Sequence, residues 1–146
     1  MSEELDRPAC DLPARPALSV PVEIFYFDTD AGGVVHNVAY LRLVEVARSK
    51  LAAHLGWPLA RMEATGIVPV VARTEIDYLA PARLGDELVI EAKLLRLERV
   101  RFLLGFEMIR AGDGQHLMHC RQTMAVVNLN TMRPHRLPAA WKERYG

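Results

Sequence analysis

A short acidic and glycine-rich segment, Asp28–Asn37, contains the residue types of this chain that are best suited to chemistry. Asp30 follows a run of aromatic residues, and a carboxylate beside apolar side chains tends towards the raised pKa that a general base requires. Gly32 and Gly33 allow the backbone to approach a ligand closely. Asn37 is predicted to be the N-cap of a helix, whose free amides and positive dipole end can hold an oxyanion.

The same residues are also typical of a plain turn, because Asp and Gly are common turn formers that bond local amides. The residues alone leave both interpretations open. We expect Asp28 to shape the loop as an acceptor rather than to react. His36 either assists a site or lies on the surface, and Glu45 is expected to pair with Arg42 or Arg48 rather than to catalyse.

Other kinds of site find no support in the motifs. Asp28-x-Asp30 resembles the start of a calcium loop, but the twelfth position is Ala39, where a bidentate Glu is needed. His116 and His119 are three residues apart in a predicted strand, so they are expected on opposite faces and unable to share a metal ion. Phosphate-loop, dinucleotide and nucleophilic-serine motifs are absent. We therefore predict neither a metal site nor a cofactor.

The composition describes one ordinary globular domain of 146 residues, 51% of them apolar and 25% charged. Lys plus Arg and Asp plus Glu number 18 each, which argues against binding to nucleic acid or to an anionic membrane. No apolar run approaches the roughly 18 residues of an integral membrane segment. Cys10 and Cys120 are predicted to be free thiols, and with no signal-peptide features at the N-terminus we expect a cytoplasmic protein.

The pattern along the chain predicts an irregular tail over residues 1–18 and a single domain over residues 19–146. A first strand is expected from Val20 to Phe27 because β-branched and aromatic residues dominate there. A helix is predicted over Val38–Leu55, with Gly56 as its stop signal. Its apolar residues cover most of its circumference, so we expect it to be largely buried.

Four further segments are rich in strand formers and are separated by turn signals such as Gly112-Asp113-Gly114. They are predicted over Ile67–Leu79, Leu88–Leu97, Arg101–Ile109 and Leu117–Leu129. No helical segment is predicted between these strands, so short links favour an antiparallel sheet. The predicted fold class is α+β, with a five-stranded antiparallel sheet wrapped around one long helix.

Three groups of residues resemble the hotdog-fold acyl-CoA thioesterases of the 4-hydroxybenzoyl-CoA thioesterase type, in particular the branch associated with the bacterial Tol–Pal system. The first is Asp28–Val35 together with Tyr40 and the helical Glu-x-Ala-Arg that ends at Arg48. The second is Tyr78–Asp86, and the third runs from Ala125 to Pro138. The resemblance covers about residues 20–142.

This resemblance implies a helix wrapped in a sheet, edge-to-edge homodimers that often pair into homotetramers, and active sites between subunits. It makes Asp30 the catalytic nucleophile or general base, and the amide near Asn37 the group that polarises the thioester carbonyl. Similar sequences often have an aromatic residue at position 36 and His at position 37, so a catalytic contribution of His36 stays open. The predicted substrate-binding residues are Gly32, Gly33, Val35, Val38 and Tyr40.

The implied substrate is an acyl-CoA, with an acyl-carrier protein as another possible carrier of the acyl group. Two alternatives differ in reaction. A hotdog hydratase or dehydratase would need a His paired with an acid across the subunit interface, for which His36 is the candidate. A non-catalytic acyl-CoA-binding protein would hold the ligand without releasing thiol. Val100-Arg101 replaces the Ser or Thr that often enters the fourth strand in similar sequences.

Overall fold

One long helix and an antiparallel sheet account for most of residues 8–146, the part of the chain that the computed structural model describes. Helix α1 spans Asn37–His54. Residues 1–7 of the predicted tail lie outside the described residues, and the rest of that tail contains a short 3-10 turn at Ala9–Asp11 before the first strand begins at Ala17. The domain boundary between residues 18 and 19 stays a prediction.

The sheet confirms the predicted α+β architecture of five antiparallel strands around one helix. The strands are β1 (Ala17–Val22), β2 (Ile67–Tyr78), β3 (Leu88–Leu97), β4 (Arg101–Arg110), β5 (His116–Asn128) and a two-residue β6 (Arg133–Pro134). Their order across the sheet is β1-β3-β4-β5-β2, with β6 beside the end of β5. All neighbouring pairs are antiparallel. Because β2 comes last in this order, it is an edge strand of the sheet.

Alternation along the strands explains why the sheet has one face against α1. In β4 every second residue is buried, namely Phe102, Leu104, Phe106 and Met108, and the residues between them point away from the helix. The same core includes four residues of α1 that are each at most 1% exposed, namely Leu43, Val44, Ala47 and Leu51. The core therefore lies between one side of α1 and the inner face of the sheet.

The predicted first strand was placed too late in the sequence. The strand is Ala17–Val22, and the aromatic run leaves the sheet through a 3-10 turn at Tyr26–Asp28. Tyr26 and Phe27 are 83% and 69% exposed. The physical reason is the carboxylate of Asp28, which accepts the Phe25 amide at 2.8 Å and pairs with Arg42 of α1, so the chain turns towards the helix there.

One prediction about the start of α1 was wrong. The N-cap is His36 rather than Asn37, because the His36 Nδ1 accepts the Ala39 amide at 3.2 Å and Asn37 is the first helical residue. Most apolar residues of α1 are buried, as predicted, but Val38 and Leu41 near its start are 64% and 40% exposed. The sheet of one chain covers only one side of this end of the helix.

Aromatic side chains close the opposite end of α1. The Trp141 Nε1 donates to the carbonyl oxygen of Leu55 at 2.7 Å and thereby satisfies one of the carbonyls at the helix end. The ring of Trp141 meets the rings of Trp57 and Phe102 edge-on, with centroids 5.4 and 5.2 Å apart. Trp141 belongs to α3 (Ala139–Tyr145), and the short helix α2 (Leu59–Thr65) precedes β2.

The two cysteines are unpaired, as predicted, with Cys10 exposed and Cys120 buried. Burial raises the pKa of the Cys120 thiol to about 11, so it is protonated at neutral pH and unsuited to act as a nucleophile. In residues 8–146, no helix combines the length and the apolar character that crossing a bilayer requires.

Candidate active site

The segment that follows Asp28 folds into a small closed loop. Thr29 and Val35 pair as an antiparallel bridge at its base. Inside it, the Asp30 amide donates to the Val34 carbonyl and the Gly33 amide donates to the Asp30 carbonyl, both at 3.0 Å. Gly33 has a φ of +72°, a conformation that a residue with a side chain rarely adopts. The loop therefore holds Asp30 at a defined position near its tip.

Asp30 is exposed, and one of its carboxylate oxygens is oriented by the backbone. Its Oδ1 accepts the Gly32 amide at 3.0 Å. Within the described residues, no hydrogen bond to its Oδ2 is present. One oxygen thus fixes the carboxylate, while the other has no hydrogen-bond partner within residues 8–146 and is available to a ligand.

Asp28 has the opposite environment, at 2% exposure. Its Oδ2 accepts the Phe25 amide, its Oδ1 accepts from the Arg42 Nε at 2.8 Å, and a second Arg42 nitrogen pairs with Oδ2. The hydrogen bond from Arg42 is the main reason why the pKa of Asp28 is lowered, against the raising effect of burial. This occupied, ionised carboxylate confirms the expected loop-shaping acceptor.

The helix start presents free backbone donors. The His36 side chain caps the Ala39 amide through Nδ1 while its Nε2 lies 3.4 Å from the Phe27 carbonyl oxygen. Among residues 8–146, the amides of Asn37 and Val38 have no acceptor. These amides form the positive end of the helix dipole, which suits a negatively charged or polarised oxygen.

An open cleft of about 340 Å³ lies beside this helix start. Its walls come from the end of the loop, the first turn of α1 and the segment after β2, and include Val35, Asn37, Tyr40, Tyr78, Leu79 and Pro81. Three predicted site residues, Val35, Asn37 and Tyr40, therefore meet at one cleft. The other predicted site residues are close in sequence but do not line the cleft in the single chain, namely Asp30, Gly32, Gly33, His36 and Val38.

Backbone hydrogen bonds join the three walls of the cleft. The Val35 amide donates to the Ala82 carbonyl at 2.8 Å, and the Leu84 amide donates to the Gly33 carbonyl at 3.1 Å. The buried Tyr40 hydroxyl accepts the Ala82 amide at 3.1 Å. The loop, α1 and the segment after β2 are thus held to one another as a unit.

Tyr78, Leu79 and Pro81 were not among the predicted site residues. Tyr78 ends β2, stays 48% exposed and donates its hydroxyl to the Asn37 carbonyl oxygen at 3.0 Å. The available signal in the sequence was an aromatic residue near the end of a predicted strand and shortly before a proline. Its proximity to the helix start follows from the sheet order, which local sequence does not give.

A polar network crosses from α1 to the sheet further along the helix. Arg48 Nη1 donates to Gln122 Oε1 at 2.7 Å, and Gln122 Nε2 donates to the hydroxyl of Thr74 at 3.2 Å. Gln122 is 3% exposed, so these bonds satisfy a buried amide. Arg48 also pairs with Glu45 at 3.5 Å, which confirms the predicted ion pair for that acid.

The prediction that His116 and His119 lie on opposite faces was wrong. The register between β4 and β5 shifts at Met108/Ile109, and this bulge takes up one residue of β5. Both imidazoles consequently contact the Glu107 carboxylate, on the face away from α1. In the described part of the chain, no three His, Cys, Asp or Glu side chains are arranged to hold a metal ion.

The chain matches the family model of the thioesterase-like superfamily over residues 27–145. It is similar to the acyl-CoA thioesterase YbgC of Haemophilus influenzae, with 32% identity over 87% of this chain and 93% of the relative. It is also similar to the acyl-CoA thioester hydrolase YbgC of Escherichia coli O157:H7, with 30% identity over 81% of this chain and 87% of the relative.

Solved structures agree on the fold. A 1,4-dihydroxy-2-naphthoyl-CoA thioesterase from Synechocystis superposes with a TM-score of 0.79 at 22% identity, covering 88% of this chain and 94% of that one. At this identity the likeness shows the hotdog fold. Together with the family match and the sequence relatives, it establishes that this chain belongs to the thioesterase-like superfamily and is a thioester hydrolase.

Proposed function

We propose that this enzyme hydrolyses an acyl-CoA thioester to a free acid and coenzyme A. The observation that carries the proposal is the open, largely apolar cleft at the amino end of α1, which is lined by Asn37, whose amide has no acceptor within residues 8–146. The loop that carries Asp30 is hydrogen-bonded to the same walls. The names of the relatives support CoA as the carrier of the acyl group.

The amides at the helix start serve as the oxyanion site in this proposal. A thioester carbonyl placed in the cleft would accept a hydrogen bond from the Asn37 amide, and the dipole of α1 adds to the stabilisation of the developing negative charge. One such donor is worth about 10²–10³ in rate. The hydrogen bond from Tyr78 to the Asn37 carbonyl keeps this first turn in place.

Asp30 is the reacting carboxylate, by one of two routes. As a nucleophile, its free oxygen attacks the thioester carbon, the C–S bond breaks, and CoA leaves as a thiolate that is later protonated by water. Water then hydrolyses the acyl-Asp30 anhydride. As a general base, Asp30 removes a proton from a water molecule that attacks instead, an effect worth about 10²–10⁴ in rate. A covalent acyl-Asp30 species trapped during turnover would select the first route, and turnover without it the second.

The remaining predicted site residues surround the substrate in this proposal. Gly32 and Gly33 let the loop backbone approach the thioester, while Val35, Val38 and Tyr40 contact the acyl group or the pantetheine. We infer no reacting role for His36, because its ring already caps α1 through Nδ1.

A homodimer would complete the cleft, because Tyr78, the last residue of the edge strand β2, forms part of its wall. This strand of 12 residues presents unpaired backbone groups along one side, and Val70 and Val71 on it are 38% and 44% exposed. Such an edge is a template for pairing with another chain. We infer that two copies pair through β2, with a homotetramer as a further step of assembly, in the cytoplasm that free thiols favour.

The dimer is tested by light scattering after size-exclusion chromatography. Val71→Lys places a charge on the edge and is expected to give a monomer with at least tenfold lower kcat/KM. Lys50→Ala changes an exposed residue of α1 and is the control, which is expected to keep the mass of the dimer and the activity. A fully active monomeric wild type would contradict the proposal that a partner completes the cleft.

The activity is tested with a panel of acetyl-, butyryl-, palmitoyl- and benzoyl-CoA and with acyl-carrier-protein esters, by following the free thiol, and with an enoyl-CoA, by following both hydration and the free thiol. Release of thiol from the CoA esters is the expected result. Hydration of an enoyl-CoA without thiol release would favour the hydratase alternative, and tight binding without any reaction would favour a non-catalytic binding protein. Either of these two outcomes would overturn the proposed reaction.

A further inference from the structure

The side of α1 that faces β2 is linked to the sheet at two separate levels. At the helix start, the Tyr78 hydroxyl donates to the Asn37 carbonyl oxygen. Eleven residues later, Arg48 reaches Thr74 through Gln122. Residue numbers rise along α1 and fall along β2 between the two levels, so the two elements run in opposite directions from the cleft to Arg48, about 16 Å along the helix axis. The strip between them, bounded by Asn37 and Tyr78 at one level and by Arg48 and Thr74 at the other, is called the groove below.

A small apolar void of about 20 Å³ lies beyond Arg48, between the second half of α1 and the inner face of the sheet. Besides Arg48, it is lined by Leu51, Leu55, Trp57, Phe102 and Met124. A void of this size among apolar side chains stays dry and favours apolar occupants. The Arg48 side chain therefore separates a polar level of the groove from an apolar one.

The Arg48 guanidinium is poorly compensated for its burial. Its side chain is 20% exposed, its hydrogen-bond acceptor Gln122 is a neutral amide, and its carboxylate partner Glu45 is 66% exposed. Burial is the main cause that lowers the pKa of Arg48, although the group stays protonated in water. An alkyl chain laid across this guanidinium would remove water without replacing its hydrogen bonds, which is unfavourable.

We propose that Arg48 is a specificity-determining residue that sets the far limit of the acyl site. Acyl groups that end before the guanidinium fit the groove, and longer apolar chains are rejected because they bury its charge. This inference rests on the proposed function, since it assigns the substrate length for the same cleft. The Gln122–Thr74 link holds Arg48 across the groove, so the limit is a fixed feature of the folded chain.

The test compares kcat/KM for butyryl-, hexanoyl-, octanoyl-, decanoyl- and dodecanoyl-CoA, measured by thiol release. Wild type is expected to prefer one of the shorter esters and to lose at least tenfold in kcat/KM at dodecanoyl-CoA. Two variants test the role of the side chain: Arg48→Ala removes its charge and volume, and Arg48→Met removes the charge and keeps most of the length. Each is expected to raise kcat/KM for dodecanoyl-CoA, relative to the preferred ester, at least tenfold. Lys50→Ala is the matched control, an exposed cation of the same helix whose removal leaves the profile unchanged.

Each outcome bears on the inference separately from the proposed function. A wild type that prefers dodecanoyl-CoA overturns the inference, as does an unchanged chain-length profile in a folded Arg48→Met variant, checked by circular dichroism and thermal melting. Arg48→Met preserves much of the packing, so the test survives if Arg48→Ala does not fold. A wild type that cleaves none of the esters overturns the proposed function itself.

Discussion

The two ends of α1 belong to one helix but are built for different purposes. At the carboxyl end, Leu55, Trp57 and Trp141 are each at most 2% exposed, and the indole of Trp141 satisfies the Leu55 carbonyl. At the amino end, Val38 and Leu41 are 64% and 40% exposed beside an open cleft. The helix is therefore sealed at one end and open at the other.

Under the proposed function, this difference separates stability from function along a single element. Apolar groups at the sealed end are removed from water by the chain itself and stabilise the fold. Apolar groups at the open end gain nothing until a substrate or a second subunit covers them, and such exposed patches mark interaction sites. We therefore expect substitutions at the sealed end to change the free energy of unfolding, and those at the open end to change activity.

The largest effect on stability is expected at the sealed end. Trp141→Ala removes an indole that packs on two aromatic rings and is predicted to lower the free energy of unfolding by about 3–5 kcal/mol. Denaturant unfolding followed by circular dichroism measures the change. The kcat of the molecules that remain folded should stay within twofold of wild type. A tenfold loss of kcat in fully folded protein would break the proposed separation of the two ends.

The next effect is expected from the buried ion pair that turns the loop onto α1. Asp28→Asn is predicted to lower the free energy of unfolding at pH 7 by about 2 kcal/mol, because a charged buried acceptor is lost. The folded pKa of Asp28 lies below the ordinary value of 3.8, so its stabilisation is complete above that value and is lost as the pH falls through the folded pKa.

Equilibrium unfolding at a series of pH values checks this dependence. The difference in the free energy of unfolding between wild type and Asp28→Asn should be constant from pH 5 to 7. This gap should close as the pH falls below about 4. Asp113→Asn is the matched control, since Asp113 also pairs with an arginine but on the surface, and a smaller gap is expected there. A gap that widens in acid would contradict the assigned pKa direction.

A smaller loss is expected at the helix cap. His36→Ala removes the side-chain acceptor for the Ala39 amide and is predicted to lower the free energy of unfolding by about 1 kcal/mol, while His36→Asn supplies another good cap and restores most of it. Steady-state kinetics of His36→Asn separate capping from catalysis. A stable His36→Asn enzyme that loses about 10² in kcat would assign a reacting role to this side chain.

The smallest effect on stability is expected at the exposed end of the helix. Val38→Ser should change the free energy of unfolding by no more than about 0.5 kcal/mol, because the side chain is mostly in water already. The same change should raise KM severalfold if Val38 contacts the substrate, as predicted. A loss of stability comparable to that of Trp141→Ala, with KM unchanged, would reverse the comparison between the two ends.

Regular patterns in the sequence were sufficient for most of the fold. The bounds of β3 were predicted to the residue because apolar and charged side chains alternate cleanly there, and α1 was located because no Gly or Pro interrupts it. The predicted first strand wrongly included the aromatic run before Asp28. These residues are strand formers, but the ion pair of Asp28 with Arg42, which local sequence does not show, places them outside the sheet. The relation between His116 and His119 was wrong because a bulge depends on pairing with β4.

The candidate site was predictable only where its residues are adjacent in sequence. Asp30, Asn37 and Tyr40 stand within one motif, and two of them meet at the cleft. Tyr78 comes from β2, and Gln122, the hydrogen-bond acceptor of Arg48, comes from β5. Both strands reach α1 through the order of the sheet. No local pattern reports such distances, because they are set by long-range strand pairing.

The most direct test of the proposed reaction is Asp30→Asn, assayed with the best ester of the acyl-CoA panel. Because Asp30 is exposed and its orienting Oδ1 has a counterpart in the amide oxygen, thermal melting and subunit mass should match wild type. We expect kcat to fall by at least about 10², while the exposed acid control Glu23→Gln keeps full activity. Wild-type turnover by a folded Asp30→Asn enzyme would show that the open end of α1 does not work through this carboxylate.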